Sequence, residues 1–289
     1  MKIYFDCIPC FIRQALDSVC LATDDEAVHE QVLRKVLQAA SEMDLRESPP
    51  AMGQYIHRLI RKLTGESDPY REIKNHFNQL ALGLYPKLKA EVEGSANPME
   101  VALKLAIAGN VIDFGVNSQL EEASVYESIE HALISPFDGN VEEFYDAVSR
   151  ADNILYLADN AGEIVFDRLL IEQMPLEKIT LAVRGFPVIN DATVDDARAT
   201  GITELVEVID NGSDVPGTIL QKCNEAFRKR FHKAGLVIAK GQGNYETLSE
   251  VEKDIFFVLK AKCPVIAKDL GCQAGSLVLK KSTCAAISA

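Results

Sequence analysis

The chain has 289 residues, 47% of them hydrophobic, and a formal net charge of −13. That length and apolar content suffice for the core of one large domain or two smaller ones, and the acidic balance argues against a nucleic-acid partner, which requires a basic footprint. Apolar runs fall short of the roughly 18–20 residues of a membrane span, and the start Met1-Lys2-Ile3-Tyr4-Phe5-Asp6 lacks the regions of a signal peptide, so a cytoplasmic protein without a membrane partner is expected.

The first 150 residues read as helical. Cys7-Ile8-Pro9-Cys10 supplies half of the ligands a structural zinc site needs, and Pro9 hints at a helix start; two small buried cysteines on a helix is the reading preferred. The odd total of seven cysteines fits reduced intracellular thiols rather than a disulfide framework. Asp24 or Asp25 caps a helix carrying Val28, Val32, Val36 and Leu37. Pro49-Pro50 interrupts, and Tyr55, Ile56, Leu59, Ile60 and Leu63 keep helical spacing up to a Gly65 C-cap. Asp68 reads as the N-cap of the next helix with Pro69 at its first position. Further helices are predicted over 80–88, 99–108, 121–133 and 141–148.

From about residue 151 the period changes. Short β-like runs at 153–158, 178–183, 204–209 and 235–239 alternate with helical segments at 167–173 and 219–231, the signature of βαβ units and a parallel sheet. The expected fold class is therefore α/β, a parallel sheet flanked by helices with an all-helical N-terminal region. The boundary is placed between 1–150 and 151–289, the second part carrying the site.

Side chains at the carboxyl ends of parallel strands are the candidates for chemistry. The run Ile154-Leu155-Tyr156-Leu157-Ala158 ends on Asp159-Asn160, Leu181-Ala182-Val183-Arg184-Gly185 leads to Asn190-Asp191, and Leu236-Val237-Ile238-Ala239 ends on Lys240-Gly241. An Asp before a helix is equally well an N-cap. The second amide–acid pair tilts the reading toward a shared cation, because two close carboxylates repel unless a cation sits between them. Oxygen ligands without a His or Cys cluster point to a hard divalent ion such as Mg²⁺, Mn²⁺, Co²⁺ or Ni²⁺. Lys240 beside Gly241 offers a point charge and backbone N–H groups for a phosphate. Asn110, Asp113 and Asn117 fall near one helix face that borders the site or simply leaves the helix. His29, His57, His76, His131 and His232 are expected to face solvent.

Together, Asp159-Asn160-Ala161-Gly162-Glu163, Arg184-Gly185 with Asn190-Asp191-Ala192-Thr193, Lys240-Gly241-Gln242-Gly243-Asn244-Tyr245-Glu246, Asp68-Pro69-Tyr70 and Cys7-x-x-Cys10 resemble the DUF89 family of metal-dependent damage-control phosphatases, in its short prokaryotic branch. The resemblance implies a Rossmann-like α/β part behind a helical one. It implies Asp159, Asn160 and Asp191 as metal ligands and Lys240 as the phosphate contact, with Arg184, Gly241 and Asn117 on the substrate side. The reaction then expected is hydrolysis of a small phosphorylated metabolite, a sugar phosphate or damaged phosphometabolite, with Asp159 or Asp191 orienting the attacking water. Two rivals are an S-adenosylmethionine-dependent carboxyl methyltransferase, which needs a glycine-rich adenosyl pocket that the strand ends do not show, and a non-catalytic phospholigand-binding module. The oligomeric state is left open.

Overall fold

The computed structural model describes residues 1–109, 129–130, 132–135 and 137–282. Five helices come first: α1 (Cys7–Ala22), α2 (Glu26–Glu42), α3 (Pro49–Thr64), α4 (Arg71–Gly94) and α5 (Pro98–Ala108). Asp25 caps α2 by accepting the Ala27 N–H at 2.9 Å. Pro49-Pro50 opens α3 rather than merely interrupting, because a first helical turn has no use for its N–H groups. Gly65 closes α3 in the left-handed region, φ 77°. Asp68 lies just before α4, not at its cap: it accepts the Tyr70 N–H at 3.3 Å in a turn and pairs with Lys74 at 3.1 Å. Most of the helix predicted over 121–133, with Asn110, Asp113 and Asn117, lies outside the described residues.

The remainder alternates as β1 (Phe137–Asp138), α6 (Val141–Arg150), β2 (Ile154–Leu157), α7 (Glu163–Ile171), β3 (Ile179–Val183), α8 (Val194–Ala199), β4 (Glu207–Asp210), α9 (Glu225–Lys233), β5 (Leu236–Lys240), α10 (Gly241–Leu248), β6 (Ile255–Lys260), α11 (Pro264–Leu270) and β7 (Leu277–Lys281). The seven strands form one sheet in the order β1-β7-β6-β5-β2-β3-β4. Every neighbouring pair is parallel except β6 and β7. The sequence pattern missed β6, β7 and the two-residue β1, so the antiparallel edge is an addition to the expected parallel sheet.

Both faces of the sheet are covered, which is why β2, β5 and β6 read as nearly continuous apolar runs. Tyr156, Leu181, Ile238 and Phe256 pack toward α4, α5 and α7, while Leu157, Val237, Ala239 and Phe257 pack toward α9, α10 and α11. Helices α1–α3 carry a third core around Val19, Val36 and Ile56, and α3 touches α10. The chain runs from β2 outward to β3 and β4, then returns to β5 on the other side of β2. That reversal opens a crevice at the carboxyl ends of β2 and β5, the usual ligand position in open α/β sheets.

Candidate active site

Asp159 and Asn160 follow β2 directly. The backbone then pairs with the segment after β3: Ala192 N donates to Asp159 O at 2.8 Å, Ala161 N donates to Asn190 O at 2.8 Å, and Asn160 bridges Asp191 in antiparallel fashion. Those bonds seat the two acids and the amide side by side, which neither segment achieves alone. Ile189 adopts φ 45°, unusual for a β-branched residue and a sign of strain kept where the chain turns into Asn190-Asp191.

Arg184 lies between the two acids. Its Nε donates to Asp191 Oδ2 at 2.5 Å and its Nη2 stands 3.8 Å from Asp159 Oδ1, while Nη1 reaches Thr218 and Asn244. Burial, followed by the charges of Glu163 and Asp191, pushes the Asp159 carboxyl up to about 8 against the opposing pull of Arg184 and Lys262. Burial also raises Asp191, with Arg184 opposing.

A cavity of about 950 Å³ opens over this group. Asp159, Asn160, Asn190 and Asp191 line its base, Gln242, Glu246 and Lys262 its side, and Cys7, Phe11, Pro49 and Pro50 of α1 and α3 its roof. Its size and its few convergent polar groups suit a small-molecule site. Burial lifts the Glu246 carboxyl to about 7, against a hydrogen bond from Gln242.

The damage-control phosphatase ARMT1-like domain matches residues 3–278. The chain belongs to that family. A damage-control phosphatase of Pyrococcus horikoshii is 36% identical over 98% of this chain and 99% of its own length. One of Archaeoglobus fulgidus is 35% identical over 97% and 99%, and an uncharacterised protein of Methanocaldococcus jannaschii is 37% identical over 97% and 96%. A crystal structure of a DUF89 family protein from Pyrococcus horikoshii superposes with a TM-score of 0.89 at 34% identity, covering 98% of this chain and all of that one. The chain is thus a phosphatase of this α/β family, and the methyltransferase and binding-module readings give way to hydrolysis.

Of the residues predicted for the phosphatase site, the structure brings Asp159, Asn160, Asp191, Arg184 and Gly241 together. Gly241 sits at φ 77°, and a Cβ there would collide with the Asp159 carboxylate. Asn117 lies outside the described residues. Lys240 does not face the cavity. It shares the strand face of Leu236 and Ile238, so its wholly buried ammonium passes under α7 to Glu163 Oε1 at 2.6 Å, Asp167 Oδ1 at 2.5 Å and Ala106 O at 2.8 Å. Burial alone would lower its pKa, but Asp167 and Glu163 hold it well above the ordinary value. Arg184 is likewise buried and engaged with protein carboxylates.

Three further expectations change. Cys10 is exposed and Cys7 partly so, both lining the cavity, rather than buried on a helix. His57 is buried, not solvent-facing, and burial with Arg61 nearby pushes its pKa down to about 3. The lysines on the cavity wall are Lys262, two residues after the unrecognised strand β6, and Lys268 of α11. The apolar run Ile255-Phe256-Phe257-Val258-Leu259 was the signal of β6.

For a divalent ion, the donors present are two carboxylates and one amide oxygen, all hard oxygen ligands. Among the described residues no three His, Cys, Asp or Glu side chains close on one point; the set here counts two such residues and Asn160. Burial, and after it the like charges of Glu163 and Asp191, raise Asp159; a dication would offset both, and the residues fit such an ion.

Proposed function

We propose that this phosphatase hydrolyses a small phosphate monoester in the cavity above β2 and β5, with Asp159, Asn160 and Asp191 holding a divalent cation. The observation that carries this is the placement of those three side chains, two directly after β2 and one in the segment that follows β3, along one cavity base at the topological switch point. A divalent ion bound there supplies Lewis acidity toward a phosphoryl oxygen and makes water a better nucleophile near neutral pH.

The chain's own groups do the rest. Lys262 meets the remaining phosphate charge from the cavity wall. Asp159 or Asp191 orients the attacking water by accepting its proton in a hydrogen bond. Arg184 keeps Asp191 turned toward Asp159 and limits repulsion between them. The roof formed by α1 and α3 covers part of the cavity and reduces its contact with bulk water. The apolar roof residues Phe11, Pro49 and Pro50 receive the organic part of the ester.

The protein is proposed to work in the cytoplasm. Among the described residues no helix is long and apolar enough to cross a membrane, and the six described cysteines are free thiols. The test of the function is a screen of sugar phosphates and other small phosphomonoesters with Mg²⁺, Mn²⁺, Co²⁺ and Ni²⁺ supplied in turn. Phosphate release that survives an excess of chelator would overturn the metal-dependent reading.

A further inference from the structure

Glu163 is the first residue of α7, wholly buried, and its two carboxylate oxygens are committed in opposite directions. Oε1 accepts from the Lys240 ammonium at 2.6 Å. Oε2 accepts from Asn160 Nδ2 at 3.0 Å, and the same nitrogen donates to Asp159 Oδ2 at 3.0 Å. Lys240 is itself fixed by Asp167, which also accepts from the Tyr156 hydroxyl at 2.8 Å, and by the carbonyl of Ala106. A chain of contacts, buried up to Glu163 and partly buried at its last step, therefore runs from the core of α5 and α7 through Lys240 and Glu163 to the Asn160 amide.

The terminal torsion of an asparagine is broad and roughly two-fold, so its own rotamer preference does little to decide whether oxygen or nitrogen faces a given side. Here the neighbours decide it. Between two ionised carboxylate oxygens, the form in which such groups hold a cation, the shared atom must be the donor, since an amide oxygen there would face two acceptors with no hydrogen between them. With Nδ2 so placed, Oδ1 points away from those two acceptors, and the residue lines the cavity.

We propose that Glu163 is a positioning residue: anchored by Lys240, it locks the Asn160 side chain with its oxygen turned to the cation site and its amide hydrogens turned away. This inference rests on the ligand assignment made above. In its absence only Asp159 Oδ2 still holds the amide nitrogen, and each turn of the amide presents N–H groups to a cation, which loses a ligand and adds repulsion. Groups that orient ligands from behind in this way typically change metal affinity by about 10- to 100-fold.

The test is titration of the chelator-treated full-length protein with MnCl₂, followed by calorimetry and by the Mn²⁺ electron paramagnetic resonance signal, with circular dichroism confirming the fold. Glu163→Gln cannot accept from Asn160 and Lys240 at once, because only one of its two terminal atoms is an acceptor. Its Mn²⁺ affinity is expected to fall by about 10- to 100-fold. Asn160→Asp leaves the Lys240 pair untouched and adds a negative ligand, which ordinarily tightens a cation site; here it sets a carboxylate oxygen against Glu163 Oε2, and affinity is expected to fall. The double variant restores a donor at position 163 and should regain at least about tenfold over Asn160→Asp, as a coupled pair does. A folded Glu163→Gln with wild-type affinity, an Asn160→Asp that binds Mn²⁺ as tightly as wild type, or a double variant that regains nothing overturns the proposal. Should Glu163→Gln not fold, Asn160→Asp decides alone. A wild-type protein that takes up no Mn²⁺ sinks the ligand assignment and this inference with it, an outcome distinct from wild-type binding that position 163 does not affect.

Discussion

The Cα of Gly241 and the carboxylate of Asp159 occupy adjoining space so closely that no side chain fits between them. The start of α10 can approach the end of β2 only because residue 241 carries no Cβ and accepts φ 77°. Gly241→Ala should therefore displace Asp159 and cost about 1–3 kcal/mol through strain alone. Phosphatase activity should be lost while the protein stays folded, as read by denaturant unfolding beside an activity assay. Full activity in that variant would show that Asp159 has no fixed role.

Asp191→Ala removes one proposed ligand and leaves Arg184 facing Asp159 alone. Metal-stimulated turnover should fall by at least about 100-fold, more than the loss typical of a residue behind the ligands. Thermal stability should fall as well, because the buried Arg184 loses its close partner, so turnover is compared on protein that circular dichroism shows to be folded. Activity that persists in Asp191→Ala with wild-type metal dependence would reject the assignment.

The two lysines should separate cleanly. Lys262→Ala is expected to raise KM and lower kcat/KM for phosphate esters with little change in Mn²⁺ affinity, because it acts on the anion. Lys240→Met leaves Glu163 and Asp167 buried without their ammonium, which should destabilise the fold by about 3–5 kcal/mol. If Lys240→Met retains wild-type stability and only KM rises, the lysine reaches substrate after all.

Asp214 ties α3 to the loop before α9, accepting from Gln54 at 2.5 Å, Arg58 at 2.7 Å and Arg61 at 2.5 Å. Burial alone would raise its carboxyl, but Arg58 and Gln54, with the charge of Arg61, outweigh it and hold it down to about 2. A depressed carboxyl stabilises the fold above its unfolded value of 3.8, and that stability is lost as pH falls through about 2. Because Arg58 is largely exposed and partly screened, the contribution is put at about 1–2 kcal/mol at neutral pH. Asp214→Asn should be weaker than wild type at pH 7 and converge with it near pH 2. His57, held at about 3, adds a loss between pH 6.5 and 3, and the Asp214 charge, which raises His57, makes that loss smaller in the wild type than in the variant. A stability difference that does not shrink in acid would remove Asp214 from this role.

Cys7 is held above the usual thiol range, chiefly by burial, so it is a poor nucleophile at neutral pH. The double variant Cys7→Ser, Cys10→Ser should keep phosphatase activity and site metal. One equivalent of zinc in the wild type that vanishes in the double variant would show a structural metal instead.

The sequence by itself determined the alternation of short apolar runs and helices after residue 151, because buried parallel strands must be continuously hydrophobic. It also determined that Asp159-Asn160 stand at a strand end, since the apolar run stops there, and that Asn190-Asp191 follow the next run by way of Arg184-Gly185. The motif set further determined the family, and with it the reaction. Tertiary structure alone decided what those positions face. Lys240 and Gly241 are neighbours, yet strand alternation sends the lysine under α7 while the glycine touches Asp159. Strand β6, and with it Lys262, was obscured because an apolar run of this length carries no period that separates strand from buried helix. The partnership of Glu163 with Lys240 spans 77 residues. No local pattern encodes such a contact, because it exists only once β5 lies beneath α7.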